Sequence, residues 1–276
     1  MALKNLLVLV DNTKAAATRI AYATSLAAKH DAHLTGLYVK APIHIPGYAL
    51  AQMQAEVREM QQRFLAEGAE EAHKAFEEVL RREGRADRSD WRVARGDAET
   101  AAEVLVRYAD MVVAGQLDPE EGARPDTVDP GDLILACGRP VLLVPYAYKM
   151  ETVGERIMVA WSGTRESARA VADAMPLLET ASHVTVMAVN PDPELGDEPC
   201  ADISLHLARH GVEAEAAHLH VEDITPADAI LSRAVDLSID LIVMGGYGRS
   251  RLRELVLGGV TRHMLQHMTV PVLMSH

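Results

Sequence analysis

The chain has 276 residues, 49% of them hydrophobic but only 4% aromatic, and carries a formal charge of −13. That length exceeds one ordinary domain of roughly 100–150 residues, and an interior filled mainly by Ala, Val, Leu and Met suits helices packed on sheets. The acidic balance argues against nonspecific attachment to nucleic acid or to an anionic membrane, which needs clustered Lys and Arg. A single nucleotide held by backbone N–H groups needs no such excess.

Met1 leads straight into a short strand pattern without a signal-peptide profile, and no run approaches the roughly 18 apolar residues of a membrane span. A soluble cytoplasmic protein is therefore expected. Asn5 to Val10 is an apolar run ending at Asp11 and reads as a first strand. Ala15 to His30 follows with a helical period. Pro42, Pro46 and Gly47 then precede a Gln-, Glu- and Arg-rich helical stretch from about Ala49 to Arg82, read as a surface helix with one packed stripe and no chemistry. Thr100 to Ala109 predicts a helix, and Asp110 to Gly115 and Arg139 to Val144 predict strands. Pro145 to Gly154 reads as a linker.

The pattern then repeats. Arg156 to Trp161 ends at Ser162 as the first strand ends at Asp11, Asp240 to Gly245 restates Asp110 to Gly115, and Val270 to Ser275 restates Arg139 to Val144. Helix-period segments at Ser167 to Leu178 and Pro226 to Leu237 fill the corresponding intervals. Apolar runs without polar alternation fit parallel strands covered on both faces. The order is β-α-β-α-β-α-β-α-β, twice. The expected fold is α/β, with two tandem doubly wound, mainly parallel five-stranded sheets over residues 1–146 and 154–276, and ligands bind such sheets outside the carboxyl ends of the strands.

One such end carries Gly245-Gly246-Tyr247-Gly248, and after Arg249 to Leu257 comes Gly258-Gly259-Val260-Thr261. The spacing G-x2-G-x9-G-G-V-T is neither a Walker A loop nor the dinucleotide G-x-G-x-x-G. Gly245 and Gly248 permit a tight turn and close backbone approach to a ligand. Val260 to Leu265 reads as a helix start, so the amides of Gly259, Val260 and Thr261 are candidates for phosphate oxygens, with the helix dipole behind them.

At these residues the chain resembles the universal stress protein family, in the subset that binds ATP through G-x2-G-x9-G-(S/T), and in its tandem form. The resemblance implies a Rossmann-like fold of the adenine nucleotide alpha hydrolase type. It makes Gly245, Gly248, Gly258, Gly259 and Val260 phosphate and ribose contacts, sets Met244 beside the ribose, and sets Ala160, Ser162 and Val189 around the adenine. Arg249 is the best placed of Arg249, Arg251 and Arg253 to reach phosphate, and Thr261 completes the second amide cluster. Two positions depart from the family: Gly259 replaces its Ser or Thr, and Ser162 replaces the Asp kept in the first half as Asp11. In the first half, Gln116 to Glu121 follows Gly115, and Thr127-Val128-Asp129-Pro130 stands where the second glycine pair would be. With its glycines gone and Asp118, Glu120 and Glu121 nearby, the first half is expected to bind no ATP in this manner.

No Ser, Cys or Thr nucleophile stands beside an obvious base, so no catalytic residue is named. The His206/His210 and His263/His267 pairs lack a third ligand and are read as surface or capping residues, not a metal site. Asp11, Asp223 and Asp240 are read as caps, and Cys137 and Cys200 as small buried hydrophobes. The expected function is stress response with regulatory binding of ATP in the second domain, with Mg2+ as the candidate accompanying ion, and at most weak ATPase activity. The alternatives are a nucleotide-independent interaction protein and a slow ATP hydrolase. The expected partners are an adenine nucleotide, the other domain in an intrachain pseudo-dimer joined through the final strands, and a second chain in a homodimer.

Overall fold

The structure is a computed structural model that describes residues 2–40, 55–96, 98–121, 126–149, 151–191, 198–248 and 259–276. Within these residues the chain runs β1 (Asn5–Leu9), α1 (Ala16–Lys29), β2 (His33–Lys40), α2 (Ala55–Arg82), β3 (Ser89–Arg95), α3 (Ala98–Val106), β4 (Met111–Gly115), α4 (Pro130–Ala136) and β5 (Val141–Val144). It then repeats this order as β6 (Arg156–Ala160), α5 (Arg165–Leu178), β7 (His183–Val189), α6 (Ala201–Arg209), β8 (Ala214–Leu219), α7 (Pro226–Asp236), β9 (Leu241–Gly245), α8 (Val260–His267) and β10 (Val272–Ser275).

The alternation expected from the sequence is present in both halves, but the two sheets are continuous. Their strands form one ten-stranded sheet in the order β3-β2-β1-β4-β5-β10-β9-β6-β7-β8. All pairs are parallel except β5 with β10, which run antiparallel with Leu143 opposite Val272 and Val141 opposite Met274. The final strands of the two halves therefore meet, as the family resemblance implies. Both are buried at every residue, so the join leaves no exposed sheet edge between the halves.

Alternate residues of the strands feed two layers, because successive side chains leave opposite faces of a sheet. Leu6 and Val8 face a core shared with α1, α2, α5 and α6, whereas Leu7 and Leu9 face one shared with α3, α4, α7 and α8. The helices begin where chemistry permits. Thr164 caps α5 by accepting from the Ser167 N–H, and Thr225 caps α7, which carries Pro226 in its first turn, where a missing N–H is harmless. On α2, Ala69, Ala72, Phe76, Val79 and Leu80 supply the packed stripe; residues 49–54 of that predicted stretch lie outside the described residues.

Two aspartates are used identically. Asp110 accepts from the backbone N–H groups of Lys4 and Asn5, and Asp240 from those of Glu155 and Arg156, so each ties the entrance of its half's first strand to its fourth. Cys137 and Cys200 are buried and unpaired, as read from their isolation in the sequence. No helix among the described residues is long and apolar enough to cross a membrane.

Candidate functional site

In each half the reversal of strand order falls between the first and fourth strands, the crevice where open α/β sheets bind ligands. In the second half, Ala160 ends β6 and lies beside Met244 of β9, and Val189 ends the adjoining β7. Ser162 is exposed at the loop into α5, its hydroxyl 3.1 Å from that of Thr164.

The two glycines of the turn have different duties. A Cβ on Gly245 would stand 2.6 Å from the Ser167 nitrogen and 2.7 Å from the Glu166 carbonyl carbon. Gly245 therefore lets the start of α5 press against the strand end, and a side chain there is excluded by backbone. A Cβ on Gly248 would meet only side-chain atoms, Glu166 Oε2 at 3.1 Å and Thr164 Oγ1 at 3.3 Å. Gly248 is exposed, so its missing side chain opens the turn toward solvent. Between them Tyr247 adopts φ +54°, a left-handed conformation that costs a non-glycine residue about 1 kcal/mol or more. Its N–H donates to the hydroxyl of buried Thr261 at 3.0 Å. That bond fastens the glycine turn to the first turn of α8, bringing together the two clusters that the sequence separates.

Gly259 is the N-cap of α8 and offers no side-chain cap. The first intrahelical N–H is that of His263, donating to the Gly259 carbonyl, so the first-turn amides of Val260 and Thr261 have no partner within the helix. Arg249 and Gly258 lie outside the described residues.

The first half fills the equivalent positions with its own side chains. Its α4 starts at Asp129, whose carboxylate accepts from the N–H groups of Gly131 and Asp132 at 2.7 and 3.1 Å. An anion is thus already supplied at that helix terminus. At the strand end, the Arg19 guanidinium lies where a Cβ on Gly115 would be. Arg19 is 3% exposed, and its Nη2 is 2.7 Å from Asp11 Oδ1. Burial alone would raise the Asp11 carboxyl, but Arg19 and the donors of Thr13 hold it below its ordinary value. Of the three acids named there, Asp118 and Glu121 line the adjoining cleft and Glu120 does not.

Sequence reading missed three groups. Glu166 is 2% exposed, paired with Arg165, and sits beside Gly248. Its burial would raise the carboxyl, yet Arg165 and Thr164 keep it lowered and charged. Asp129 was read only as a lost glycine, although its place before Pro130 is an N-cap signature. Arg19 falls on the apolar stripe of α1 with Ala16, Ile20 and Ala23, and a charge on a core stripe is a signal in itself. Of the histidine pairs, His263 bonds through Nε2 to Asp228 at 2.8 Å.

Comparison with known proteins bears on the fold and on this half. Residues 154–276 match the sequence model described as the Universal stress protein family. Universal stress protein Slr1230 of Synechocystis sp. is 30% identical over 146 residues, covering 51% of this chain and 48% of that protein. Universal stress protein YxiE of Bacillus subtilis is 41% identical over 66 residues, covering 24% of this chain and 43% of the relative. The chain thus spans about half, or less, of the curated relatives it matches. A universal stress protein from Archaeoglobus fulgidus superposes with a TM-score of 0.74 at 14% identity, over 98% of this chain and 97% of that one, which is a likeness of fold.

Proposed function

We propose, for a chain that belongs to the universal stress protein family through residues 154–276, that this second half binds ATP with Mg2+ in a regulatory, stress-related role. The observation that carries the reading is the contrast between helix starts: Asp129 caps α4 with its own carboxylate, whereas Gly259 leaves the first turn of α8 uncapped. The amides of Gly259, Val260 and Thr261 then hold phosphate oxygens, and Gly248 keeps side-chain atoms out of their way. Ala160, Ser162 and Val189 border the base and Met244 the ribose, while Gly245 holds the strand end against α5. Arg249 and Gly258 belong to the same reading on sequence grounds alone. Mg2+ supplies positive charge that offsets phosphate next to Glu166.

Residues 1–146 form a partner domain in this reading, joined to residues 154–276 as an intrachain pseudo-dimer. Support comes from the β5–β10 pairing and from Lys29, whose ammonium donates to the Val153 and Gly154 carbonyls and to Glu155. Two buried, unpaired cysteines suit a reducing compartment such as the cytoplasm. Association of two chains is part of the same proposal.

Calorimetric titration with ATP and Mg2+ tests the site. Binding is expected in the native protein and in Asp129→Ala, and is lost in Gly248→Val. Absence of heat with millimolar ATP, or equal binding by Gly248→Val, overturns the reading. The buried carboxylate of Glu166 beside Gly248 favours one competitor, a nucleotide-independent interaction protein, which the absence of binding would support. Phosphate release above a protein-free control would instead indicate a slow ATP hydrolase.

A further inference from the structure

We infer that Tyr247 is a positioning residue through which the first half holds the second half's glycine turn in shape, its ring seated against Gly131 of α4. What the turn binds rests on the reading above; the contact itself rests on geometry. A Cβ on Gly131 would stand 2.5 Å from the Tyr247 hydroxyl oxygen, 3.0 Å from Asp129 Oδ1 and 3.6 Å from Leu265 Cδ1. Gly131 is buried in the first turn of α4, and its φ is not in the left-handed region. Glycine is a poor helix former, so room for the Tyr247 side chain is what the structure gains from it there.

The neighbouring residue makes the same crossing. Gly246 is buried, and a Cβ on it would stand 2.9 Å from Ile134 Cγ2, also on α4. In the opposite direction Gln116, the first half's counterpart of Gly246, is 6% exposed and donates from Nε2 to the Leu265 carbonyl of α8 at 3.1 Å. Each strand-end turn therefore rests on the last helix of the other half, an exchange that follows from the β5–β10 pairing.

The strained backbone of Tyr247 gives this contact its consequence. A left-handed non-glycine residue persists only where its surroundings over-determine it. Here the constraints come from two sides: the Tyr247 N–H donates to the Thr261 hydroxyl at 3.0 Å, and the ring abuts α4. The first constraint fixes the turn to the helix start that carries the candidate phosphate amides, and the second fixes it to the first half. Displacing the ring therefore alters the spacing between Gly248 and the amides of Val260 and Thr261. By linkage, a ligand that fixes this spacing also favours the packing of α4 against the turn.

The test compares amide spectra of isotope-labelled, ligand-free, full-length protein with ATP–Mg2+ titrations of the same samples. In Gly131→Ala the added methyl displaces the ring, and shifts are expected across the boundary at Tyr247, Gly248 and Thr261, with ATP affinity about fivefold lower. Adding Tyr247→Phe removes the atom that the methyl meets and should restore both the Gly248 and Thr261 amides and the affinity. Asp129→Ala removes the cap without touching the ring and should move neither. Tyr247→Leu, which copies Leu117 of the first half, keeps the test open if Gly131→Ala does not fold: the Gly131 and Ile134 amides should shift, with a similar loss of affinity. The proposal is overturned if folded Gly131→Ala leaves the turn amides at their native positions, if Tyr247→Phe restores neither shifts nor affinity, or if Gly131→Ala and Tyr247→Leu bind ATP as the native protein does. Failure of the native protein to bind ATP overturns the nucleotide reading instead, and the amide shifts and their rescue then decide the positioning role.

Discussion

The two halves share a strand order and diverge at two positions that decide what each crevice can hold. At the fourth helix, Asp129 occupies with its own carboxylate the amides that Gly259 leaves uncapped. At the strand end, Gly115 accommodates a buried arginine, whereas Gly245 accommodates the backbone of α5. A duplicated fold thus has one crevice whose strand end and helix terminus carry an internal ion pair and a capping carboxylate, and one whose equivalent positions carry glycines. Loss of a glycine motif is therefore not mere decay, because the replacing side chains satisfy groups that a ligand would otherwise meet.

The largest expected effect breaks the ion-paired half. Arg19→Met leaves Asp11 buried without its cation and should destabilise the protein by about 3–5 kcal/mol, measured by chemical denaturation. A loss below about 1 kcal/mol would mean that the pair behaves as a surface contact. The same pair gives an acid dependence. Because the folded Asp11 value is lowered from 3.8, its stabilisation is complete above the unfolded value and disappears as pH falls through the folded one. Asp11→Asn should flatten that part of the stability–pH curve.

Next in size is Gly245→Ala, whose added carbon meets backbone at 2.6 and 2.7 Å; overpacking of this kind costs about 1–3 kcal/mol. Gly248→Ala meets only side-chain atoms and should leave the denaturation midpoint nearly unchanged. Equal losses from the two would erase the distinction between a packing glycine and a binding glycine.

Gly259→Asp transplants the first half's cap into the second. Helix stability should rise by about 0.3 kcal/mol, while ATP affinity falls about tenfold, since an anion now holds the amides. Unchanged affinity in titration would show that these amides do not serve phosphate. The smallest effect is expected from Glu166→Gln, which removes one negative charge beside Gly248 and should raise ATP affinity a few-fold at low salt, with the gain shrinking as salt screens it.

The sequence by itself determined the element order, the internal repeat, and the halves' division into a glycine-rich and a glycine-poor member. Those features rest on local periodicity and turn chemistry, which a few adjacent residues specify. It also placed Met244 and Gly245 at a strand end, Gly248 in the turn that follows, and Gly259 to Thr261 at a helix start. What only the tertiary structure decided are encounters between residues far apart in the chain. Tyr247 reaches Thr261 across 14 positions, Glu166 comes to lie beside Gly248, Arg19 lies against Gly115, and β5 joins β10 to make one sheet of two. A buried charge, a backbone contact and an antiparallel edge all depend on which surfaces the packed helices bring together, and no local pattern encodes that.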